Sequence, residues 1–198
     1  MAKQTASNTI GPFFHHVLTA EGHGKKSVVN SRLAGKKTKG EHISVEGRII
    51  DADGKPLRAA MLEIWQANSA GRYNSPIDDR DDVELDKKFS GFGRVSSSGN
   101  GKFEFETIKP GRVPSAGNAP QAPHINLTLF AAAIDIHLYT RLYFSDEEEA
   151  NEIDPVLSLV NAARRDTLIA RRKKTKKGIV YRFNVRVGGK EETVFFDV

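Results

Sequence analysis

Short runs in which every second residue is apolar cover most of the chain, with clusters of Gly, Pro, Asn and Asp between them. HISVEGRII, residues 42–50, sets Ile43, Val45 and Ile49 on one face and Ser44, Glu46 and Arg48 on the other, the period of a half-buried strand. Asp53-Gly54 with Pro56 beyond it marks a tight turn. AMLEIWQA is apolar on both faces, as a strand near the middle of a sandwich is. GNGKFEFETIKPG turns Phe103 and Phe105 inward between a glycine turn and a Pro-Gly break. HINLTLF aligns Ile125, Leu127 and Leu129, leaving His124, Asn126 and Thr128 opposite. HLYTRLYF (137–144) and IVYRFNVRV (179–187) read as one strand each, and Gly188-Gly189 as the turn of a C-terminal hairpin. Such evenly punctuated strands predict an all-β chain, an antiparallel β-sandwich or barrel with long loops. Helix is confined to SDEEEANEI, with Ser145 as its N-cap, and to one or two short turns in DPVLSLVNAARRDTLIARR. Residues 74–92 form a long polar excursion, and SGFGR a turn or bulge.

Composition narrows the function classes. With 198 residues, 38% hydrophobic and 28% charged, the chain suits one soluble domain with a real core. The absence of cysteine excludes disulfides and thiolate metal sites. No stretch approaches the roughly 18 apolar residues of a membrane span, and MAKQTASNTIGPFFHH lacks the apolar run of a secretory signal. The expectation is a cytoplasmic protein with no membrane partner. A net charge of +5 raises nucleic acid as a ligand. The basic ARRKKTKKG (170–178) reads instead as a solvated loop between a helix and a strand. It has no aromatic platform beside it, and SDEEEANEID would repel a polyanion.

The candidate chemistry is sparse. H-x-H on a strand offers two imidazoles to one metal ion, yet here His124 is followed by Asn126. His15, His16, His23 and His42 lie in or near the N-terminal arm, and His137 starts a strand without an obvious partner. No nucleophile elbow, phosphate loop or H-E-x-x-H occurs. Asp78-Asp79 and Asp81-Asp82 read as solvated. On spacing alone, His124 is a structural histidine.

SNTIGPFF, LEIWQANSAGRY, GFGRV, TIKPGRVP, APHINLTLF and TRLYF occur in that order. Together they resemble the intradiol ring-cleaving dioxygenases, from about residue 7 to the C-terminus. The resemblance implies a β-sandwich enzyme whose non-haem Fe(III), held by two tyrosinates and two histidines, binds a catechol for ring opening by O₂. Hard phenolate ligands favour the ferric state. Set against that site, KPGRVP has Val113 where the second tyrosine belongs, and QAPHIN supplies Gln121, His124 and Asn126 in place of an R-P-x-H-x-H strand. DDRD offers Asp81 near the first tyrosine's place, and none of Tyr73, Tyr139, Tyr143 or Tyr181 falls at either tyrosine position. One imidazole will not retain iron.

The resemblance therefore implies a non-catalytic α-type subunit beside a homologous β subunit that binds the iron, in a multimer of αβ protomers. Residues 1–40 would be an arm contacting the partner and residues 41–198 the sandwich. Thr9, Gly11 and Pro12 of TIGP would line the substrate pocket, with no catalytic or metal-binding residue in this chain. LFAAA puts Ala132 where related chains carry an arginine toward the ring's anionic substituent, so a protocatechuate carboxylate would need another partner, or the catechol's 4-substituent differs. Two other readings stay open: a self-sufficient iron enzyme with relocated ligands, and a non-enzymatic binding module.

Overall fold

The computed structural model describes residues 17–27, 29–115, 119–132, 134 and 136–197. Its strands are β1 (His42–Asp51), β2 (Met61–Trp65), β3 (Phe92–Ser96), β4 (Lys102–Ile108), β5 (Val113–Pro114), β6 (Pro120–Gln121), β7 (His124–Phe130), β8 (Leu138–Phe144), β9 (Ile169–Thr175), β10 (Gly178–Arg182) and β11 (Val185–Val187). β4 pairs with one side of β1, and β10 and β11 share the other. β3, β2, β7 and β8 follow one another in the second layer. β9 joins the layers. Its first two residues pair with β8 and the rest with β10.

The alternation read from the sequence sets which side chains fill the space between the layers. Val45, Ile49, Phe103, Phe105 and Tyr181 from one layer meet Leu62, Ile64, Ile125, Leu127 and Leu129 from the other, all buried. Each such side chain contributes about 1.5–3 kcal/mol when fully withdrawn from water. Most pairings are antiparallel as predicted, but β1 runs parallel to β10 and β11, and β8 parallel to β9. Residues 30–33 bridge the gap between β3 and β4. Arg94 N donates to Asn30 O, Leu33 N donates to Glu106 O, and Glu106 N donates to Ser31 O.

Several local expectations are corrected. IVYRFNVRV is two strands, because the chain breaks its ladder at Phe183–Asn184: Phe183 N donates to Glu46 O, and Asn184 Oδ1 accepts from Arg48 N at 3.0 Å. The break lies over Gly47, where an added Cβ would stand 1.6 Å from Phe183 O; only glycine allows this approach. The basic stretch is no loop but strand β9, its Arg172 paired with Glu41 and Asp146. Within SGFGR, Phe92 to Arg94 already belong to strand β3, while Gly91 before it sits at positive φ. The helix at Glu148–Glu152 is capped by Glu147, not Ser145, whose Oγ instead accepts from Arg172 N. The Gly188-Gly189 turn is present, both residues at positive φ. Among the described residues beyond it, only Phe196 makes a bridge, to Tyr139.

Candidate functional site

The motif-rich segments converge at the start of β7. Strand pairing sets His124 opposite Tyr143 and Asn126 opposite Arg141, while the two-residue strands β5 and β6 set Val113 opposite Gln121. A period of two then puts His124, Asn126, Arg141 and Tyr143 on the face of the layer turned away from Ile125 and Leu127. Arg141 Nη1 donates to Gln121 Oε1 at 2.7 Å, and its charge acts on the neighbouring Tyr143 phenol. Asn126 Nδ2 donates to the Tyr73 hydroxyl at 3.4 Å, a long bond.

His124 is 3% exposed, its Nδ1 2.8 Å from Ala122 O. A carbonyl only accepts, so Nδ1 carries the proton and Nε2 keeps its lone pair in the neutral ring. Burial, reinforced by the Arg141 charge, pushes the imidazole down to about 4; it is neutral at pH 7. Burial raises both Tyr73 and Tyr143 above the ordinary phenol value. Beneath them lies Asp154, fully buried, which accepts from Ala122 N (2.7 Å), Val156 N (2.9 Å), Leu157 N (2.7 Å) and the Tyr143 hydroxyl (3.2 Å). These bonds tie the 154–157 turn to the strand carrying His124.

A shallow cleft opens beside this cluster, lined by Trp65, Tyr73, Ile77, Arg80, Val113 and Pro114. Trp65 and Tyr73 stack with ring centroids 5.5 Å apart. The cleft's shape comes from two motif segments pressed together. Gly111 N donates to Asn68 O, and a Cβ on Gly71 would lie 1.9 Å from Arg112 O. Gln66, of the same LEIWQA run, is fully buried with its amide spent on Ala67 O and Ile108 O and its carbonyl on Thr107. Asp78 is not the solvated acid the sequence suggested. Arg80 grips it through two bonds and holds its carboxyl down at about 2. Asp81 is exposed.

Of the residues singled out by sequence, Val113, Gln121, His124 and Asn126 are brought together, whereas Thr9, Gly11, Pro12, His15 and His16 lie outside the described residues. Ala132 is exposed past the far end of β7. There His137, which looked partnerless, stacks on Phe130 at 5.5 Å and reaches the Tyr139 hydroxyl through Nε2 at 2.8 Å. Sequence reasoning missed Arg141, Asp154, Tyr73 and Tyr143 as members of the His124 cluster. Only Arg141 left a signal, as a charge inside the apolar run HLYTRLYF.

The family profile described as Dioxygenase matches residues 10–189. An alpha chain of protocatechuate 3,4-dioxygenase from Burkholderia cepacia is 44% identical over 99% of this chain and 98% of its own length. The chain belongs to the intradiol ring-cleaving dioxygenase family. It is an enzyme subunit of that family, and its whole-length likeness is to the alpha chains. The Burkholderia cepacia beta chain is 38% identical over 78% of this chain and 67% of its own length. An intradiol ring-cleavage dioxygenase from Tetranychus urticae shares the fold, with a TM-score of 0.62, 18% identity and coverage of 97% and 98%.

Against the intradiol family's ferric ion, the donors at this site do not fit. Val113 has no ligand atom, Asn126 offers an amide where an imidazole would serve, and a permanent cation, Arg141, stands among them. Tyr73 and Tyr143 are the phenols at hand, and neither is poised to ionise. Among the described residues no group of three His, Cys, Asp or Glu is placed to hold a metal ion. No helix is long and apolar enough to cross a membrane.

Proposed function

We propose that this chain is the non-catalytic α subunit of an Fe(III)-dependent intradiol dioxygenase whose β subunit holds the iron. The assembled enzyme opens protocatechuate, or another 4-substituted catechol, with O₂ to a cis,cis-muconate, each oxygen atom entering one of the two new carboxyl groups. The observation that carries this reading is the guanidinium of Arg141 beside His124 and Asn126. A site built around a fixed cation has no use for a ferric ion. Iron supplies a Lewis acid that binds the catechol as a dianion; that chemistry belongs to the β subunit. The beta-chain relative supports a partner of the same fold.

This chain's share is assembly and one wall of the partner's pocket. Residues 1–40 form the arm, with Thr9, Gly11 and Pro12 against the substrate, and residues 41–198 the sandwich. Ala132 leaves the ring's 4-substituent to another residue, so a sulfonated catechol is a substrate to set beside protocatechuate. The test is metal analysis and turnover of the chain alone, of the partner alone and of the co-expressed pair. Iron and full activity should appear only where the partner is present. Roughly stoichiometric iron with a tyrosinate-to-iron absorption band in the isolated chain would sink the reading and favour relocated ligands. In the pair, Thr9 or Pro12 substitutions should raise KM and leave iron content unchanged.

A further inference from the structure

The His124 cluster is more than a site with ligands missing. Its two neighbouring strands bring up a side chain that a metal site would have to avoid. Arg141 is the cross-strand partner of Asn126, next in line to the His124–Tyr143 pair on the same face. Its guanidinium reaches Gln121 of β6 at 2.7 Å, and its charge acts on the phenol of Tyr143 on its own strand. Gln121 is neutral, and the Asp154 carboxylate beyond Tyr143 is already taken up by three backbone N–H groups and the Tyr143 hydroxyl. Around the guanidinium stand a neutral imidazole with Nε2 unprotonated, the Asn126 amide and the Tyr73 hydroxyl. Those are oxygen and nitrogen donors of the kind that hold divalent and trivalent cations.

We propose that the Arg141 guanidinium is the resident cation of this site: it ties β6 to β8 through Gln121, and its charge keeps a metal ion off His124. The inference rests on the reading of this chain as the iron-free subunit, and adds the residue that enforces it. A guanidinium suits the role because it stays charged at every accessible pH and presents several donors in a rigid fork. A lysine would keep the charge and lose the fork; a glutamine would keep a hydrogen bond and lose the charge.

The test restores an H-x-H pair and asks whether Arg141 blocks it. Co(II) is titrated into the full-length chain carrying Asn126→His, alone and combined with Arg141→Gln, Arg141→Met or Arg141→Lys, following the visible ligand-field bands. Asn126→His/Arg141→Gln and Asn126→His/Arg141→Met should bind Co(II) at least tenfold more tightly than Asn126→His alone. Asn126→His/Arg141→Lys should stay near the weak level. A merely structural arginine would lower the urea midpoint on replacement without raising metal affinity. Equal affinity with and without Arg141, or no binding in any variant, overturns the proposal. Two neutral replacements keep the comparison from hanging on one variant's folding. Turnover by the co-expressed pair tests the proposed function separately, since that can fail while the neutral and charged forms still differ.

Discussion

The two ends of β7 are built to opposite rules, although one strand of seven residues, roughly 20 Å long, carries both. At its start, His124 is enclosed, and Asp154, Arg141, Gln121 and Tyr143 bond to one another or to backbone. Past its end, Ala132 is exposed, Ile136 is 61% exposed, and His137 bonds the Tyr139 hydroxyl between half-buried rings. The first end is enclosed and bonded largely within itself; the second presents surface. On the proposed function, a subunit that lends a wall to a neighbour needs the second kind of end, and a site that holds no metal takes the first kind when protein groups fill it.

The sharpest way to break the comparison is to remove the anchor of the closed end. Asp154→Ala leaves three backbone N–H groups and the Tyr143 hydroxyl without their acceptor in a fully buried place. With each buried donor left unpaired costing about 1–3 kcal/mol, the expected loss is on the order of 3 kcal/mol or more, read from urea denaturation. Asp154→Asn, which keeps one acceptor oxygen, should lose less. A loss below about 1 kcal/mol for the alanine variant, the scale of one ordinary hydrogen bond, would mean that water replaces the carboxylate and the end is not closed.

A pH titration probes the same end more gently. The folded His124 titrates near 4, below the roughly 6.5 of an unfolded histidine. Between those values the unfolded chain binds a proton that the folded chain refuses, so stability rises with pH across this window. His124's contribution is therefore intact above about 6.5 and lost progressively as pH falls toward 4, by on the order of 3 kcal/mol. The His124→Phe variant should flatten that part of the profile. Asp78, held at about 2 by Arg80, loses its contribution only as pH falls from the ordinary carboxylate range toward 2, so the two windows separate. A wild-type slope unchanged by His124→Phe would remove the histidine from the account.

How much of this was legible in the sequence follows from what each part depends on. β1, β4 and β7 declared themselves because one face meets the core and the period of two survives along their whole length. β9 did not, since Ala170 is its one buried residue; its pairing with β8 and β10 places it, and its own pattern does not. β3 hid behind its glycine, where Gly93 packs against Leu33. At the site, His124 and Asn126 were readable together because they share a strand. Tyr73, Arg141 and Asp154 come from three other segments, and only folding shows that they meet.

At the open end the effects should be small. His137→Ala removes one stacked ring contact and one hydrogen bond, together about 1 kcal/mol, measured by thermal melting of the isolated chain. A loss as large as that of Asp154→Ala would erase the distinction between the ends.

The smallest effect on stability is the most informative about substrate. Ala132 is exposed, so Ala132→Arg should change the isolated chain's stability by no more than about 0.5 kcal/mol. In the co-expressed pair, the new guanidinium would meet an anionic 4-substituent if this wall faces the partner's pocket. A bidentate, charge-assisted pair is stronger than a neutral hydrogen bond. KM for protocatechuate should then fall severalfold, with KM for unsubstituted catechol unmoved. If both substrates respond alike, or neither does, Ala132 stands outside the pocket and the open end serves assembly alone.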